Sequence, residues 1–383
     1  MNFFSKHIKG DRGIWVIVIL LSCISILAVY SSTGSLAFRY QHGNTEYYLL
    51  KHFFIIVSGL FILYLFHKIK YTYYSRFAQL LFYISIPLLL ITLISGTNIN
   101  EASRWLTIPG IGISFQSSDV AKLALISYVA RLLAIKQSEI SDLNKGFIPL
   151  IIPVAIITIL IFPANLSTAI LIFGTCIVLM YVGRTPTKYI LATAGIVIFI
   201  LVIGFFILKQ MPGGGRTSTW VSRIENFKSG DEQGDYQAMQ AKIAIANGGV
   251  FGKMPGNSTQ RNFLPHPYSD FIYALIVEEF GLVGGIVVLM FYLILLYRGI
   301  RVAARAPGAF GAFLAIGLTF LIVFQALINM GVAVGLLPVT GQPLPLVSMG
   351  GTSIWFTCIS IGIILSVSRS NEYIEKENEN TKN

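Results

Sequence analysis

Long apolar segments separated by short polar stretches recur along the whole 383-residue chain. A helix that crosses a bilayer needs about 20 largely apolar residues, because the hydrocarbon core is about 30 Å thick and each residue rises about 1.5 Å. Ten segments approach this length, some with polar interruptions, and they predict an all-α polytopic membrane protein with ten transmembrane helices. The segments lie at about 14–33, 49–67, 77–95, 119–135, 147–162, 165–183, 188–208, 271–297, 310–333 and 351–368.

Two features refine this prediction. The first segment follows three basic residues, as a secretory signal peptide does, but its apolar run is long and lacks a small-x-small cleavage site. We therefore expect a retained membrane anchor. The fifth and sixth segments are separated only by residues 163–165 (Pro-Ala-Asn). Non-helical backbone at that depth has to be buried in protein or line a cavity.

Composition excludes a soluble fold with one large core. Hydrophobic residues make up 55% of the chain and charged residues 12%, whereas soluble domains carry about 25% charged residues. So high an apolar content also excludes a disordered chain. Cys23, Cys176 and Cys358 all lie within apolar segments, so neither a disulfide framework nor metal-ligand spacing results.

The basic residues fall mainly on one side of the membrane. With the N-terminus in the cytoplasm, cytoplasmic segments hold 17 Lys and Arg, and the short outer loops hold three. Because cytoplasmic loops collect Lys and Arg, both termini are predicted inside. This distribution accounts for most of the net charge of +11 and argues against nucleic acid as a partner. Residues 1–370 are predicted to form one transmembrane domain, and the polar residues 371–383 a disordered cytoplasmic tail.

Residues 209–270 form a long extracytoplasmic loop between the seventh and eighth segments, with seven basic residues. Structureless loops of this length are uncommon unless they are functional. The loop opens on a flexible stretch, Pro-Gly-Gly-Gly at 212–215, and apolar residues recur at helical spacing between Asp235 and Asn247. We predict an amphipathic helix there that lies along the membrane surface. A simple connector is the alternative.

Ser269 and Asp270 stand where this loop becomes the eighth segment. A carboxylate at a helix N-terminus can simply cap the helix or interact with its dipole, so Asp270 is a candidate for either role. Glu278 and Glu279 follow within the segment. A charge inside hydrocarbon is expensive and usually faces a cavity or a partner. Because these two neighbours cannot share a helix face, at least one needs a polar environment or a position near the surface.

Further polar groups cluster near the same membrane face. Asp119 and Lys122 are three residues apart on one face of the fourth segment, where either a mutual ion pair or a functional site would explain them. Arg104 and Trp105 precede them and suit an interfacial anchor as well as a binding site. The last outer loop, 337–353, has no charge and is rich in Pro, Gly and hydroxyl groups. It predicts a re-entrant, non-helical hairpin that lines a cavity.

No nucleotide-binding or metal-binding signature is present. The chain has no G-x-x-x-x-G-K-[ST] or G-x-G-x-x-G motif, and its five His residues show no ligand spacing. An enzyme built from this chain would therefore need a donor that already carries the activated bond and resides in the membrane.

Three blocks, in order along nearly the whole chain, resemble the SEDS family (shape, elongation, division and sporulation). Residues 103–106 and 116–123 (Ser-Arg-Trp-Leu and Gln-Ser-Ser-Asp-Val-Ala-Lys-Leu) are similar to the family's Arg-Trp-Ile and Gln-Pro-Ser-Glu-x-Ala-Lys-Leu. Residues 263–281 contain Phe-Leu-Pro, Ser-Asp-Phe-Ile-Tyr-Ala and Glu-Glu-Phe-Gly and resemble the block that carries the family's loop aspartate. Residues 337–351 match its Leu-Pro and Pro-Leu-Ile-Ser-Tyr-Gly-Gly.

The chain also departs from these motifs. Asp119 stands in place of the family's Glu, Tyr268 in place of a His, and Met349 in place of a Tyr. Residues 162–169 lack the carboxylate of the family's Gln-Pro-Asp-Leu-Gly-Thr-Ala. The loop aspartate is kept, as Asp270. Within the family, the blocks look somewhat more like the division branch, FtsW, than like the elongation branch, RodA.

The resemblance implies an inverting peptidoglycan glycosyltransferase that polymerises lipid II on the outer face of the cytoplasmic (inner) membrane, during cell division or elongation. Asp270 would be the catalytic general base that deprotonates the acceptor hydroxyl. The departing pyrophosphate needs positive charge, from basic side chains or a divalent cation such as Mg²⁺ or Mn²⁺. The candidate substrate-binding residues are Arg104, Lys122, Arg216, Arg223, Arg261, Glu278, Glu279, Ser348, Gly350 and Gly351.

The partners implied by the resemblance are a class B penicillin-binding protein transpeptidase and other divisome or elongasome membrane proteins. Two other function classes stay open at the level of the residues. A lipid II flippase would suit the charged groups within the fourth and eighth segments, although the internal repeats common in transporters are not evident. A non-catalytic scaffold for the transpeptidase is the third reading.

Overall fold

The computed structural model describes residues 9–34, 36, 38, 44–95, 97–99, 102–107, 114–210, 221–223, 225–227 and 236–380. Within these ranges, the side chains of 95, 97–99, 102–104, 208–210 and 373–380 lie outside the description. The predicted flexible stretch at 212–215 and the candidate residue Arg216 also lie outside it.

Helices make up most of the described chain, and each of the ten predicted apolar segments falls on one of them. A π-helical turn covers Leu143–Phe147, and a 3₁₀ turn covers Gln260–Asn262. The helices are α1 (Arg12–Ser32), α2 (Thr45–Lys68), α3 (Tyr71–Ser95), α4 (Ser117–Ile135), α5 (Ile148–Ile161), α6 (Leu166–Val182), α7 (Thr187–Gln210), α8 (Tyr236–Gly248), α9 (Ile272–Ala304), α10 (Ala309–Ala333) and α11 (Thr352–Asn380).

Length and apolar composition identify the membrane-spanning elements. In the described part of the chain, eight helical segments are long and apolar enough to cross a bilayer: α1, α2, α3, α5 with its π turn, α7, α9, α10 and α11. α6 is apolar but shorter, and α4 carries Asp119, Lys122 and Arg131. The chain is therefore a predominantly helical, multi-pass membrane protein.

The core lies around α10 and α11. Each of these helices has 72% of its most apolar stretch buried, whereas α7, at the periphery, has 6%. α10 packs against α4, α6, α9 and α11, and α2 packs along α11. Because α10 contacts so many neighbours, polar groups on it can reach several helices at once.

The break between the fifth and sixth segments is where the sequence predicts it. α5 ends at Ile161 and α6 begins at Leu166. Asn165 is the N-cap of α6, and its Oδ1 accepts a hydrogen bond of 3.2 Å from the Thr168 amide. The cap satisfies one of the amide groups that a helix start leaves unpaired.

A small antiparallel sheet is the main departure from the predicted all-α architecture. It comprises β1 (Thr97–Ile99), β2 (Ala102–Thr107) and β3 (Ser114–Gln116), in the order β1-β2-β3. Trp105 pairs with Gln116, and Thr107 with Ser114. Because β3 runs directly into α4, the sheet fixes the start of the helix that carries Asp119. Such short strands lack the alternating pattern that would reveal them in the sequence.

The predicted eighth helix is not continuous. α9 contains a break at Gly281, where φ is 71° and ψ is −174°. A β-carbon at Gly281 would lie 2.1 Å from the carbonyl oxygen of Val250, so no larger residue fits beside this loop. The break separates the segment that carries Glu278 and Glu279 from the long apolar part of α9.

Part of the segment predicted to be a disordered tail is helical in the structure. α11 continues through Asn380 rather than ending near residue 370. Residues 371–380 include four Glu and one Lys, which are good helix formers, so they extend the helix that precedes them.

Candidate active site

Asp270 lies two residues before α9 begins, at the end of the long loop. The chain turns at His266, whose φ of 53° falls in the left-handed region that few non-glycine residues adopt. The Ser269 hydroxyl donates a hydrogen bond of 2.8 Å to Asp270 Oδ1. Asp270 is half-buried, so its carboxylate is held in place while part of it stays accessible.

Asn329 of α10 fixes the backbone around Asp270. Its Nδ2 donates to the carbonyl oxygen of Asp270 at 2.8 Å and to that of Gln342 at 2.7 Å. Asn329 is 1% exposed, and its Oδ1 has no hydrogen-bond partner among the described residues. One buried amide thus joins the end of the long loop to the last loop, which spans residues 334–351 in the structure rather than the predicted 337–353.

The last loop packs directly over Asp270. The Ser348 hydroxyl donates to the Ser269 carbonyl at 2.6 Å, and the Met349 amide donates to the Tyr268 carbonyl at 2.9 Å. Gly341 has a φ of 64°, and a β-carbon there would lie 3.5 Å from Asp270 Oδ2. A glycine therefore both suits the backbone and leaves the carboxylate uncovered.

Side chains from the surrounding helices hold the last loop inside the bundle. Ser25 of α1 donates to the Val347 carbonyl at 2.7 Å, and Tyr292 of α9 donates to the Pro345 carbonyl. The Gln342 amide donates to Thr168 Oγ1 of α6 at 2.8 Å. These bonds satisfy polar groups of a non-helical segment buried in protein, which is the condition for such a segment at membrane depth.

The surroundings of Asp270 tune its basicity. Burial raises the pKa of the Asp270 carboxyl above its ordinary value. The Ser269 hydrogen bond and electrostatic interactions with His266 and Arg223 lower the pKa and only partly offset the effect of burial. A carboxylate with a raised pKa is a stronger base once it is deprotonated.

Asp119 and Lys122 form a buried ion pair. Lys122 Nζ lies 2.7 Å from Asp119 Oδ1, with side-chain exposures of 10% and 4%. Lys122 Nζ also donates to Gln325 Oε1 at 3.2 Å. This is the mutual ion pair that the sequence offered as one explanation of the two residues. A substrate-binding role for Lys122 stays a prediction.

Two side-chain amides of α10 connect this ion pair and Asp270 to the same part of the last loop. Gln325 Nε2 donates to the Pro343 carbonyl at 2.9 Å, and Asn329 lies one helical turn further along α10. Gln325 therefore links the ion pair to Pro343, and Asn329 links Asp270 to the adjacent Gln342.

Glu278 anchors the long loop. It is fully buried, and its carboxylate accepts hydrogen bonds from the Ser258 hydroxyl, from the Thr259 amide at 3.1 Å and from the Thr259 hydroxyl at 2.9 Å. Lys253 Nζ lies 3.1 Å from Glu278 Oε1. These contacts account for a carboxylate at this depth without requiring a substrate.

Glu279 and Arg261 fasten the same loop to α1. Glu279, 2% exposed, accepts a hydrogen bond from the Ser31 hydroxyl. Arg261 Nη1 donates to the Ser31 carbonyl at 3.3 Å and to the Gly256 carbonyl at 3.0 Å. The structure thus gives both candidate substrate-binding residues local partners in the protein.

The remaining candidate substrate-binding residues lie in different elements of the structure. Arg223 Nη1 donates to the Val339 carbonyl of the last loop at 3.1 Å. Gly350 and Gly351 complete that loop, where Gly351 has a φ of 54°. Arg104 lies on β2, but its side chain is outside the description. Among the candidates whose side chains the structure describes, Arg223 is the basic residue whose charge acts on Asp270.

Sequence reasoning missed Gln325, Asn329 and Gln342. The first two are amides four residues apart within an apolar helix, and polar groups in a membrane span usually face a partner or a cavity. That spacing was the available signal. Gln342 lies in an irregular loop, where the sequence contains no periodicity to show which way its side chain points.

The described residues contain no group of three or more His, Cys, Asp or Glu side chains that could hold a metal ion. Mg²⁺ often binds through one or two carboxylates together with the phosphates of a substrate. Asp270 is the carboxylate at this site that would take part in such shared binding with a substrate.

Comparison with known proteins gives matches over nearly the whole chain. The family model for cell cycle proteins of the FtsW/RodA/SpoVE type matches residues 11–373. Stage V sporulation protein E of Bacillus subtilis is 32% identical over 376 residues, covering 96% of this chain and 100% of the relative. The probable peptidoglycan glycosyltransferase FtsW of Geobacter metallireducens is 33% identical over 364 residues, covering 94% of this chain and 95% of the relative.

Solved structures share the fold. A chain from a peptidoglycan synthase complex that coordinates polymerization and crosslinking superposes with a TM-score of 0.75 at 23% identity, covering 94% of this chain and 98% of the other. The rod shape determining protein RodA of Thermus thermophilus superposes with a TM-score of 0.69 at 22% identity, covering 94% and 97%.

Proposed function

Because the chain belongs to the FtsW/RodA/SpoVE family of cell cycle proteins, we propose that it is a peptidoglycan glycosyltransferase that polymerises lipid II with Asp270 as its general base. Relatives that match over most of their length are named peptidoglycan glycosyltransferases. The observation that carries the proposal is the half-buried Asp270 carboxylate, with its backbone held by Asn329 and its accessible face left open by Gly341.

The proposed topology has ten spans, with both termini in the cytoplasm and Asp270 at the outer face of the cytoplasmic membrane. The distribution of 17 basic residues in cytoplasmic segments against three in short outer loops supports it. In this orientation, the long loop and the last loop both face the compartment in which glycan strands are built.

The proposed reaction uses few protein groups. Asp270 takes the proton from the 4-hydroxyl of the acceptor sugar while that oxygen attacks the anomeric carbon of the donor. A carbon–oxygen bond forms with inversion, the bond to the lipid pyrophosphate breaks, and the pyrophosphate leaves with its electron pair. No second acid is needed, in contrast to paired-carboxylate glycosidases, because pyrophosphate is already a good leaving group.

Positive charge stabilises the departing pyrophosphate in this proposal. Arg223 is the favoured contributor, since it contacts the last loop and its charge acts on Asp270. Arg104 and Arg216 remain candidates on the strength of the family resemblance. Asp270 would hold a divalent cation if one takes part, and the cation would supply the same stabilisation.

The proposed partner is a class B penicillin-binding protein transpeptidase. The family resemblance suggests it, and a structural relative comes from a complex that joins polymerization with crosslinking. A transpeptidase beside this chain would crosslink strands as they emerge.

A single assay distinguishes the polymerase from the two alternatives. The purified full chain is incubated with fluorescently labelled lipid II in proteoliposomes, with and without the transpeptidase. Glycan strands longer than the starting disaccharide are the expected product. Movement of lipid II between leaflets without strands would indicate a flippase, and neither product, with the partner present, would indicate a scaffold.

A further inference from the structure

A polar cavity of about 280 Å³ lies at the end of the bundle opposite to Asp270. It opens where the start of α1, the last turns of α9 and the 368–372 segment of α11 meet. We call it the arginine cavity, because its charged lining consists of Arg298, Arg301 and Arg305 together with Asp11 and Glu372. None of these residues takes part in the proposed polymerisation.

The charges of the arginine cavity favour a ligand that carries a single negative charge. The three arginines follow at spacings of three and four residues on one face of α9. Arg298 Nη1 lies 3.4 Å from Asp11 Oδ2, whereas the Arg301 guanidinium has no hydrogen bond or ion pair with the described part of the chain. Among the side chains that the structure describes, three positive charges less two negative ones leave +1 in the lining, which matches the single charge of a phosphodiester.

Asn371 adds an unpaired acceptor to the same lining. Its Nδ2 donates to the Val302 carbonyl at 3.1 Å, but its buried Oδ1 has no partner among the described residues. Buried polar atoms are nearly always hydrogen-bonded. The unpaired Oδ1 therefore indicates a ligand that brings a hydrogen-bond donor as well as a negative charge.

The depth of the cavity favours a lipid as the source of that ligand. Large apolar side chains are exposed along α9, from Leu282 to Tyr297 and Ile300, immediately before Arg301. From the break at Gly281 to Arg301 the helix rises about 30 Å, which is the thickness of the hydrocarbon core. Tyr297 is 61% exposed, as is usual for an aromatic residue at the membrane–water interface.

We propose that the arginine cavity binds the headgroup of an anionic phospholipid. Arg301 donates hydrogen bonds to the phosphodiester oxygens, Arg305 adds positive charge to the lining, and Asn371 Oδ1 accepts a hydrogen bond from a headgroup hydroxyl. Guanidinium groups suit phosphate oxygens because several of their N–H groups point in one plane. A lipid bound there would hold the ends of α1, α9 and α11 together.

The test is native mass spectrometry of the purified full chain in detergent, titrated with phosphatidylglycerol. We expect discrete binding that phosphatidylcholine does not reproduce. Arg301→Gln should weaken the binding about fivefold, and the Arg301→Gln, Arg305→Gln pair about twentyfold or more. Arg76→Gln is the matched control, because Arg76 is an exposed arginine at the same end of the bundle, and its binding should equal that of the unmodified chain.

A substitution that removes a negative charge, instead of a positive one, gives an independent readout. Glu372→Gln removes a negative charge from the lining and should tighten phosphatidylglycerol binding severalfold. Equal losses in Arg301→Gln and Arg76→Gln would overturn the proposal, because they would indicate nonspecific attraction. Displacement of the lipid by millimolar inorganic phosphate would also overturn it, since the site would then take soluble phosphate. Unchanged or weaker binding in Glu372→Gln would have the same consequence.

Discussion

Asn329 donates a hydrogen bond of 2.8 Å from its side-chain amide to the main-chain carbonyl of Asp270. The second hydrogen of the same amide bonds the Gln342 carbonyl at 2.7 Å. Since both carbonyls belong to irregular segments, neither is fixed by helix or sheet. A buried side chain of a core helix therefore joins the proposed base to the loop above it, alongside the bonds from Ser348 and Met349 to the two preceding residues.

Replacing this amide should slow polymerisation while leaving substrate binding largely intact. In Asn329→Ala, Asp270 keeps its carboxylate but loses the bond that positions its backbone. We expect kcat to fall by roughly tenfold to a hundredfold, because small displacements of a catalytic group are costly. KM for lipid II should change little. Asn257→Ala, at an exposed asparagine of the long loop, is the control, and an equal loss of kcat in both variants would contradict the positioning role.

Gly341→Ala should obstruct the carboxylate directly. The new methyl group would lie 3.5 Å from Asp270 Oδ2, at a φ of 64°. We expect polymerisation to fall roughly tenfold, less than the 10²- to 10⁴-fold typical of losing a general base. Gly249→Ala imposes similar backbone strain, at a φ of 53° with no atom within 4 Å. If the two variants lose the same activity, strain rather than obstruction is responsible.

The pH dependence of polymerisation should report the environment of Asp270. Burial raises its pKa, so activity should disappear, as pH falls, at a higher pH than an ordinary aspartate would give. Ser269→Ala removes a hydrogen bond that lowers this pKa, so the acid limb of the kcat/KM profile should move to higher pH. Ser269→Thr keeps the hydroxyl and should restore the original limb. A limb that does not move in Ser269→Ala would count against Asp270 as the titrating base.

Substitutions in the Asp119–Lys122 pair can show whether the pair has a structural role or whether Lys122 contacts the substrate. Lys122→Met leaves a buried carboxylate without its partner, which typically costs about 3–5 kcal/mol of stability. The double variant Asp119→Asn, Lys122→Met removes both charges and should recover most of the melting temperature in detergent. If the double variant is stable and polymerises lipid II, the pair is structural. A stable but inactive double variant would support the predicted contact between Lys122 and substrate.

Much of the architecture could be predicted from apolar periodicity, because burial in lipid demands long uninterrupted apolar runs. The helix expected between Asp235 and Asn247 is observed at Tyr236–Gly248, since its spacing of apolar residues is regular. The break at Gly281 was not foreseen. It arises from close contact with the Val250 carbonyl, a long-range packing relationship that local sequence does not encode.

The candidate site, too, could be predicted from the sequence only in part. Asp270 could be identified because a loop carboxylate within a recognisable motif stands out in an apolar chain. Glu278 and Glu279 were equally conspicuous, but their partners, Ser258 and Ser31, lie in other segments and became apparent only in three dimensions. Asn329 does not stand out in the sequence, because it is an uncharged amide within an apolar helix. Its role becomes apparent only from its two hydrogen bonds, which hold the site together.

The role of Asp270 as the general base is tested most directly by the rate of lipid II polymerisation by Asp270→Asn. The substitution preserves the shape of the side chain and the backbone carbonyl that Asn329 binds, so the protein should fold normally while losing its base. We predict a loss of at least about 10²-fold, with Asp142→Asn, at an exposed aspartate between α4 and α5, fully active. Polymerisation by Asp270→Asn at the unmodified rate would contradict the central claim that Asp270 is the general base.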